Sequence, residues 1–133
     1  MLGVDHFYLY NNNSTDDYKN VLYKYIESGV VTLTDWPDVP GQVSAYKHWY
    51  QTFRQETNWC IFMDIDEFCC PRKHTNMQEW LKKYSKYPVV IMYWQFFGTS
   101  GIMEENDGLV IEQFTSCFRK IFNIGKPIYN TRY

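Results

Sequence analysis

The densest chemistry in this sequence lies in ten consecutive residues, Trp59-Cys60-Ile61-Phe62-Met63-Asp64-Ile65-Asp66-Glu67-Phe68. The first five are apolar and read as a strand buried on both faces. The run then breaks abruptly into carboxylates. Asp64 and Asp66 are two positions apart, so a strand puts them on one face, and a turn at the strand end can aim both at one point. Two carboxylates this close repel each other, and a divalent cation removes that cost. Hard cations such as Mg²⁺ or Mn²⁺ take carboxylate oxygens and bridge to substrate phosphates. The spacing therefore predicts a metal–diphosphate site at Asp64 and Asp66. The plainer alternative is a pair of solvated loop acids.

Other candidate groups also follow apolar runs. Residues 10–16, Tyr-Asn-Asn-Asn-Ser-Thr-Asp, offer amide donors and acceptors in pairs, suited to the edge of a base or ribose. Ser14 and Asp16 could equally do no more than start a helix. Gly98-Thr99-Ser100-Gly101 closes a later apolar run. Neither GxGxxG nor GxxxxGK[ST] occurs, so the usual glycine-rich phosphate loops are absent. His6, His48 and His74 have no metal spacing with one another or with cysteine and read as structural or solvated. No cysteine pair has CxxC spacing. Cys60 and Cys117 read as buried hydrophobes.

These groups need elements to position them. Residues 6–10 form an aromatic strand. Ser14 and Asp17 give a capping-box-like start to a helix carrying Tyr18, Val21, Leu22, Tyr25 and Ile26, which Gly29 ends. Residues 30–34 form a β-branched strand, and Pro37, Pro40 and Gly41 mark a loop. Ala45, Trp49 and Phe53 make a helical face that runs to about Glu56. After the strand over 59–63, Met77, Trp80, Leu81 and Tyr84 predict another helix. Residues 88–97 predict a long strand. Val110, Ile111, Phe114, Cys117 and Phe118 predict a helix, and residues 119–124 a last strand. Strand and helix alternate, which implies an α/β domain over 1–133 with a mainly parallel sheet and helices on both faces. Ligands of such sheets bind outside the carboxyl ends of the strands, which is where the candidate groups cluster.

Apolar residues make up 45% of the 133, too many for a disordered tail, and the lack of period excludes collagen-like or coiled-coil fibres. No run reaches the ~18 apolar residues of a membrane helix. A net charge of −2 exerts no pull toward nucleic acid. The start shows no signal peptide, so reduced thiols and a cytoplasmic setting are expected. Lys82, Lys83 and Lys86 form an exposed basic stretch that could touch the inner face of an anionic membrane. Both ends read as cut rather than finished. The aromatic fraction of 20% is high, and it divides between core faces (Phe7, Tyr18, Tyr25, Phe53, Trp80, Phe114) and strand ends (Tyr10, Tyr46, Trp94, Phe97).

Taken in order, these pieces resemble glycosyltransferases of the nucleotide-diphospho-sugar type with the Rossmann-like GT-A fold, most closely glycosyltransferase family 92 and related family-2-like bacterial enzymes. The matching stretches are residues 3–8 with 10–16, Gln42 with Ala45-Tyr46, residues 59–68, Trp94 with 97–101, and residues 110–114. The resemblance implies transfer of a sugar from a nucleotide-sugar donor, often UDP-linked, to a glycan or lipid-linked acceptor, with Mn²⁺ or Mg²⁺. It implies that Asn11, Asn12, Gln42 and Tyr46 lie at the nucleoside, and that Asp64 faces the ribose or the metal. It makes Asp66 the main metal ligand, and has Trp94, Phe97, Gly98 and Ser100 shape the acceptor pocket. Glu112 would be the base that takes the acceptor hydroxyl proton; Glu104, Glu105 and Asp107 are rivals for that role. Two family features are missing from this sequence, a preceding strand with an Asn-Glu segment and a later metal-binding His. A catalytically degenerate carbohydrate- or partner-binding module is therefore the alternative. A haloacid-dehalogenase-type phosphotransferase fits less well, because Glu67-Phe68 follows the second Asp.

Overall fold

The computed structural model describes residues 2–71, 73–104 and 106–133. The aromatic run forms β1 (Phe7–Asn11), followed by α1 (Tyr18–Glu27) and β2 (Val31–Asp35). The α1 helix stops before Gly29, whose φ of 72° suits a residue without a Cβ. β1 and β2 pair in parallel from Phe7↔Val31 to Asn11↔Asp35, so both strands end side by side. Next comes α2 (Gln42–Thr52), then a 3₁₀ turn (Arg54–Glu56) and β3 (Trp59–Ile61). The chain closes with α3 (Met77–Lys82), β4 (Val89–Tyr93), α4 (Val110–Gln113) and β5 (Gly125–Asn130).

Two packed regions hold these elements. Ala45 and Trp49, one helical turn apart, are the buried residues of α2. Trp49 meets Tyr8 of β1 edge-on at 6.0 Å and Phe62 beyond β3 edge-on at 5.4 Å. The second region is α3 on the other sheet. Met77, Leu81 and Ile128 are its buried centre, and Trp59, Ile61, Val90 and Met92 pack around them. Burying one such side chain contributes about 2 kcal/mol. α3 is short but well started, since Asn76 Oδ1 accepts from Glu79 N at 3.1 Å.

The chain is α/β as the alternation predicts, yet a mainly parallel sheet is not what the strands form. Among the described residues only β1 and β2 pair in parallel. β3, β5 and β4 make a separate sheet in which the central β5 runs antiparallel to both neighbours. The reason is that the last strand returns between two earlier ones, a pairing that no local pattern encodes. β3 is half-buried along its length rather than buried on both faces.

The C-terminal third departs furthest from expectation. The strand expected over 88–97 ends at Tyr93, the helix expected through Phe118 ends at Gln113, and residues 119–124 form no strand. Backbone pairing shows why. Trp94 N donates to Ile124 O, while Phe97 bridges Cys117 antiparallel. Between those points one side advances three residues and the other seven, so the ladder cannot stay in register. Cys117 is exposed rather than buried, and Phe7 and Tyr25 are 45% and 43% exposed rather than core.

The chain exposes 10801 Å², against about 7,400 Å² for a compact chain of this mass. Much of the excess is apolar, as on α1, which buries no residue completely and leaves Val21 63% exposed. Among the described residues, no helix is long and apolar enough to cross a membrane.

Candidate functional site

The parallel pairing sets the first part of the site. Because Asn11 and Asp35 end their strands opposite each other, Asn11 Nδ2 donates to Asp35 Oδ1 at 2.9 Å. It also donates to the Tyr18 hydroxyl at 2.9 Å, and its Oδ1 accepts from Ser14 N at 3.0 Å. Asn12 Nδ2 donates to Trp36 O at 2.6 Å and Asp38 O at 2.9 Å, tying the loop after β1 to the loop after β2. These two asparagines spend their amides on framing the loops. Tyr10, one residue before Asn11 in β1, has its hydroxyl 2.9 Å from His48 Nδ1.

The first turn of α2 then reaches the acidic segment. Gln42 Nε2 donates to the Tyr46 hydroxyl at 3.0 Å and to Asp64 Oδ1 at 3.1 Å. Tyr46 stacks on Phe62, with ring centroids 4.2 Å apart and planes at 24°. The turn after β3 closes on itself, Glu67 N donating to Asp64 O and Asp64 N to Glu67 Oε2, both at 3.1 Å. Lys126 of β5 then bridges both acids, with Nζ 2.9 Å from Asp64 Oδ2 and 3.1 Å from Glu67 Oε2. Its ammonium also lies 6.0 Å from the centroid of the Trp94 ring. Asp64, Gln42, Tyr46, Lys126 and Trp94 therefore share one corner.

Asp66 does not join them. It is exposed, and its carboxylate has no hydrogen bond or ion pair among the described residues. The acids that converge are Asp64 and Glu67, because the turn carries Asp66 outward. Oxygen donors of this kind suit a hard cation held by one or two carboxylates plus phosphate oxygens. Among the described residues, no group of three or more His, Cys, Asp and Glu is placed to hold a metal by itself.

The residues expected to shape an acceptor pocket are only partly assembled. Trp94 packs edge-on against Phe96 at 5.8 Å, and Phe96 against Phe122 at 4.8 Å. The indole Nε1 of Trp94 is buried with no acceptor among the described residues. Ser100 Oγ accepts from Thr115 N at 2.8 Å and Ser116 N at 2.9 Å, and Gly98 N donates to Ser116 O at 2.9 Å. Phe97 and Gly98 are exposed. Glu112 is exposed on the four-residue α4, with no partner for its carboxylate among the described residues. Glu104 and Asp107 are exposed on the preceding loop, and Glu105 lies outside the described residues.

Comparison with known proteins settles what kind of chain carries this corner. The family model for glycosyltransferase family 92 matches residues 1–133. The chain belongs to glycosyltransferase family 92. It is 33% identical over 88 residues to a glycosyltransferase family 92 protein of Oryza sativa subsp. japonica, covering 65% of this chain and 15% of that one. It is 31% identical over 93 residues to a family 92 protein of Ricinus communis, covering 69% of this chain and 16% of that one. A third, from Arabidopsis thaliana, is 32% identical over 68 residues, half of this chain and 12% of the relative. The chain thus spans less than a fifth of the length of these curated relatives. No solved structure matches it.

Within this family 92 chain, sequence reasoning missed Lys126, the role of Glu67, and Phe62 as the ring beneath Tyr46. Lys126 carries no local signal, because what brings it to Asp64 is a pairing between segments 62 residues apart. Burial and neighbouring carboxylates shift Cys60, Tyr8 and Lys126. Burial pushes the Cys60 thiol up to about 12. Burial, then the hydrogen bond to Glu56, raises the Tyr8 hydroxyl well above the ordinary tyrosine value. Burial pulls Lys126 down, but the Asp64 and Glu67 carboxylates outweigh it and hold the ammonium above its usual range.

Proposed function

We propose that this chain is the donor-binding part of a glycosyltransferase that moves a sugar from a nucleotide-diphosphate sugar, UDP-linked, to a glycan or lipid-linked acceptor. The observation that carries the reading is that Gln42, Tyr46 and Asp64 meet in one corner of a family 92 chain. The Tyr46–Phe62 stack offers an aromatic face to a base, and Asn11 and Asn12 hold the loops that border it. Asp64 and Asp66 would hold Mn²⁺ or Mg²⁺, which would supply positive charge to offset that of a diphosphate. Glu112 would take the proton of the acceptor hydroxyl. Trp94, Phe97, Gly98 and Ser100 would flank the acceptor sugar, with the free indole N–H of Trp94 able to donate to a sugar oxygen.

The unengaged carboxylates of Asp66 and Glu112 favour a second reading, a degenerate transferase-fold module that binds carbohydrate or a partner without turnover. Isothermal titration of the chain with UDP, with and without Mn²⁺, separates the two. The transferase reading expects metal-dependent binding that Asp66→Ala abolishes while the fold stays intact by circular dichroism. Absence of binding at millimolar UDP would leave the module reading alone. Unchanged binding in Asp66→Ala would remove the metal assignment.

A further inference from the structure

Lys126 is placed by the sheet rather than by its neighbours in sequence. β5 lies so close to β4 at its start that a Cβ on Gly125 would sit 1.8 Å from Met92 O. On its other side, β5 pairs with β3 through Ile61↔Ile128. Continuing that register sets Lys126 alongside Met63, the residue before Asp64. The side chain is 17% exposed, well below the 48% of Asp64. It lines an open cavity of about 360 Å³ together with Tyr46, Phe62, Pro127 and Tyr129.

An ammonium has three N–H donors, and the two carboxylates take two of them. The third has no partner among the described residues. One side of the cavity that Tyr46 and Phe62 line is therefore edged by a cation with one unspent donor. Such an edge matches a group that is anionic and only accepts hydrogen bonds. A diphosphate attached to a base on the aromatic face has that chemistry.

We propose that Lys126 binds the donor diphosphate directly, in addition to any metal at Asp64 and Asp66. The proposal rests on the donor-binding reading above and names a residue for it. Without a ligand Lys126 pairs with both Asp64 and Glu67. With the nucleotide in place its remaining donor goes to a phosphate oxygen.

The test compares UDP with uridine, which keeps the base and ribose but lacks the diphosphate. Both are titrated calorimetrically into wild type, Lys126→Met, Lys126→Gln and Lys126→Arg, with and without MnCl₂. The expected result is that Met and Gln weaken UDP binding by about tenfold or more, the size of one lost charge-assisted hydrogen bond. Uridine affinity should stay within about twofold, and Arg should restore most of the UDP affinity. Gln can still bond Asp64, so it covers the case in which Met fails to fold. A parallel loss of UDP and uridine overturns the proposal in favour of a purely structural ion pair. Tighter Mn²⁺ binding with unchanged UDP binding overturns it in favour of a lysine that only competes with metal. Wild type that binds neither nucleoside nor nucleotide overturns the proposal together with the donor-site reading, whereas UDP binding insensitive to Lys126 overturns the proposal alone.

Discussion

The proposed donor and acceptor sides of the candidate site are built differently. On the donor side, side chains bond across long stretches of chain: Asn11 to Asp35, Gln42 to Asp64, and Lys126 to Asp64 and Glu67. They sit at the ends of paired strands over buried Trp49. On the acceptor side, residues 97–118 hold together mainly by backbone bonds to their own loop, and Phe97, Leu109, Ile111 and Phe118 are exposed. Few buried contacts mean a low local free energy of opening. The proposed donor corner is thus preformed, whereas the loop over residues 97–118 is loosely held.

The comparison can be broken most severely from beneath. Trp49→Ala should cost about 4 kcal/mol of stability by urea denaturation, because the ring is 5% exposed and joins β1 to the end of β3. A loss below about 1 kcal/mol would mean that the donor corner does not rest on this packing. Gly125→Ala should cost about 3 kcal/mol, since the clash is with a backbone carbonyl that cannot rotate away. A neutral thermal melt for that variant would refute the close approach of β5 to β4.

A smaller effect sharpens the contrast directly. Asn12→Ala removes the donor to two loop carbonyls at an exposed position, so about 1 kcal/mol is expected. Ser100→Ala removes an acceptor for two exposed backbone N–H groups that water can satisfy, so less than about 1 kcal/mol is expected. Calorimetric titration with UDP should then show weaker binding for Asn12→Ala and no change for Ser100→Ala. Equal effects on UDP would erase the distinction between the two sides.

What could be read from the chain follows the range of the interactions involved. The helix over α1 and its stop at Gly29, the α2 face of Ala45 and Trp49, and the placement of polar groups after β1, β2 and β3 rest on periodicity and turn chemistry, which are local. So was the family, because its motifs are short and come in order. The acceptor side was harder to read. The apolar spacing of residues 110–118 looks helical, but Ser100 and Gly98 capture the backbone of Thr115 and Ser116 first. Tertiary hydrogen bonds outweighed a weak local preference there.

The sequence alone determined that this is an α/β chain with aromatic and amide groups at its strand ends, an acidic turn after β3, and membership of glycosyltransferase family 92. Only the tertiary structure decided which acids meet. Asp64 pairs with Glu67 rather than Asp66 around Lys126, because β5 returns antiparallel between β3 and β4. Spacing along a chain fixes which face a residue is on. Which distant residue shares that face is fixed by strand register, and register is a property of the whole sheet.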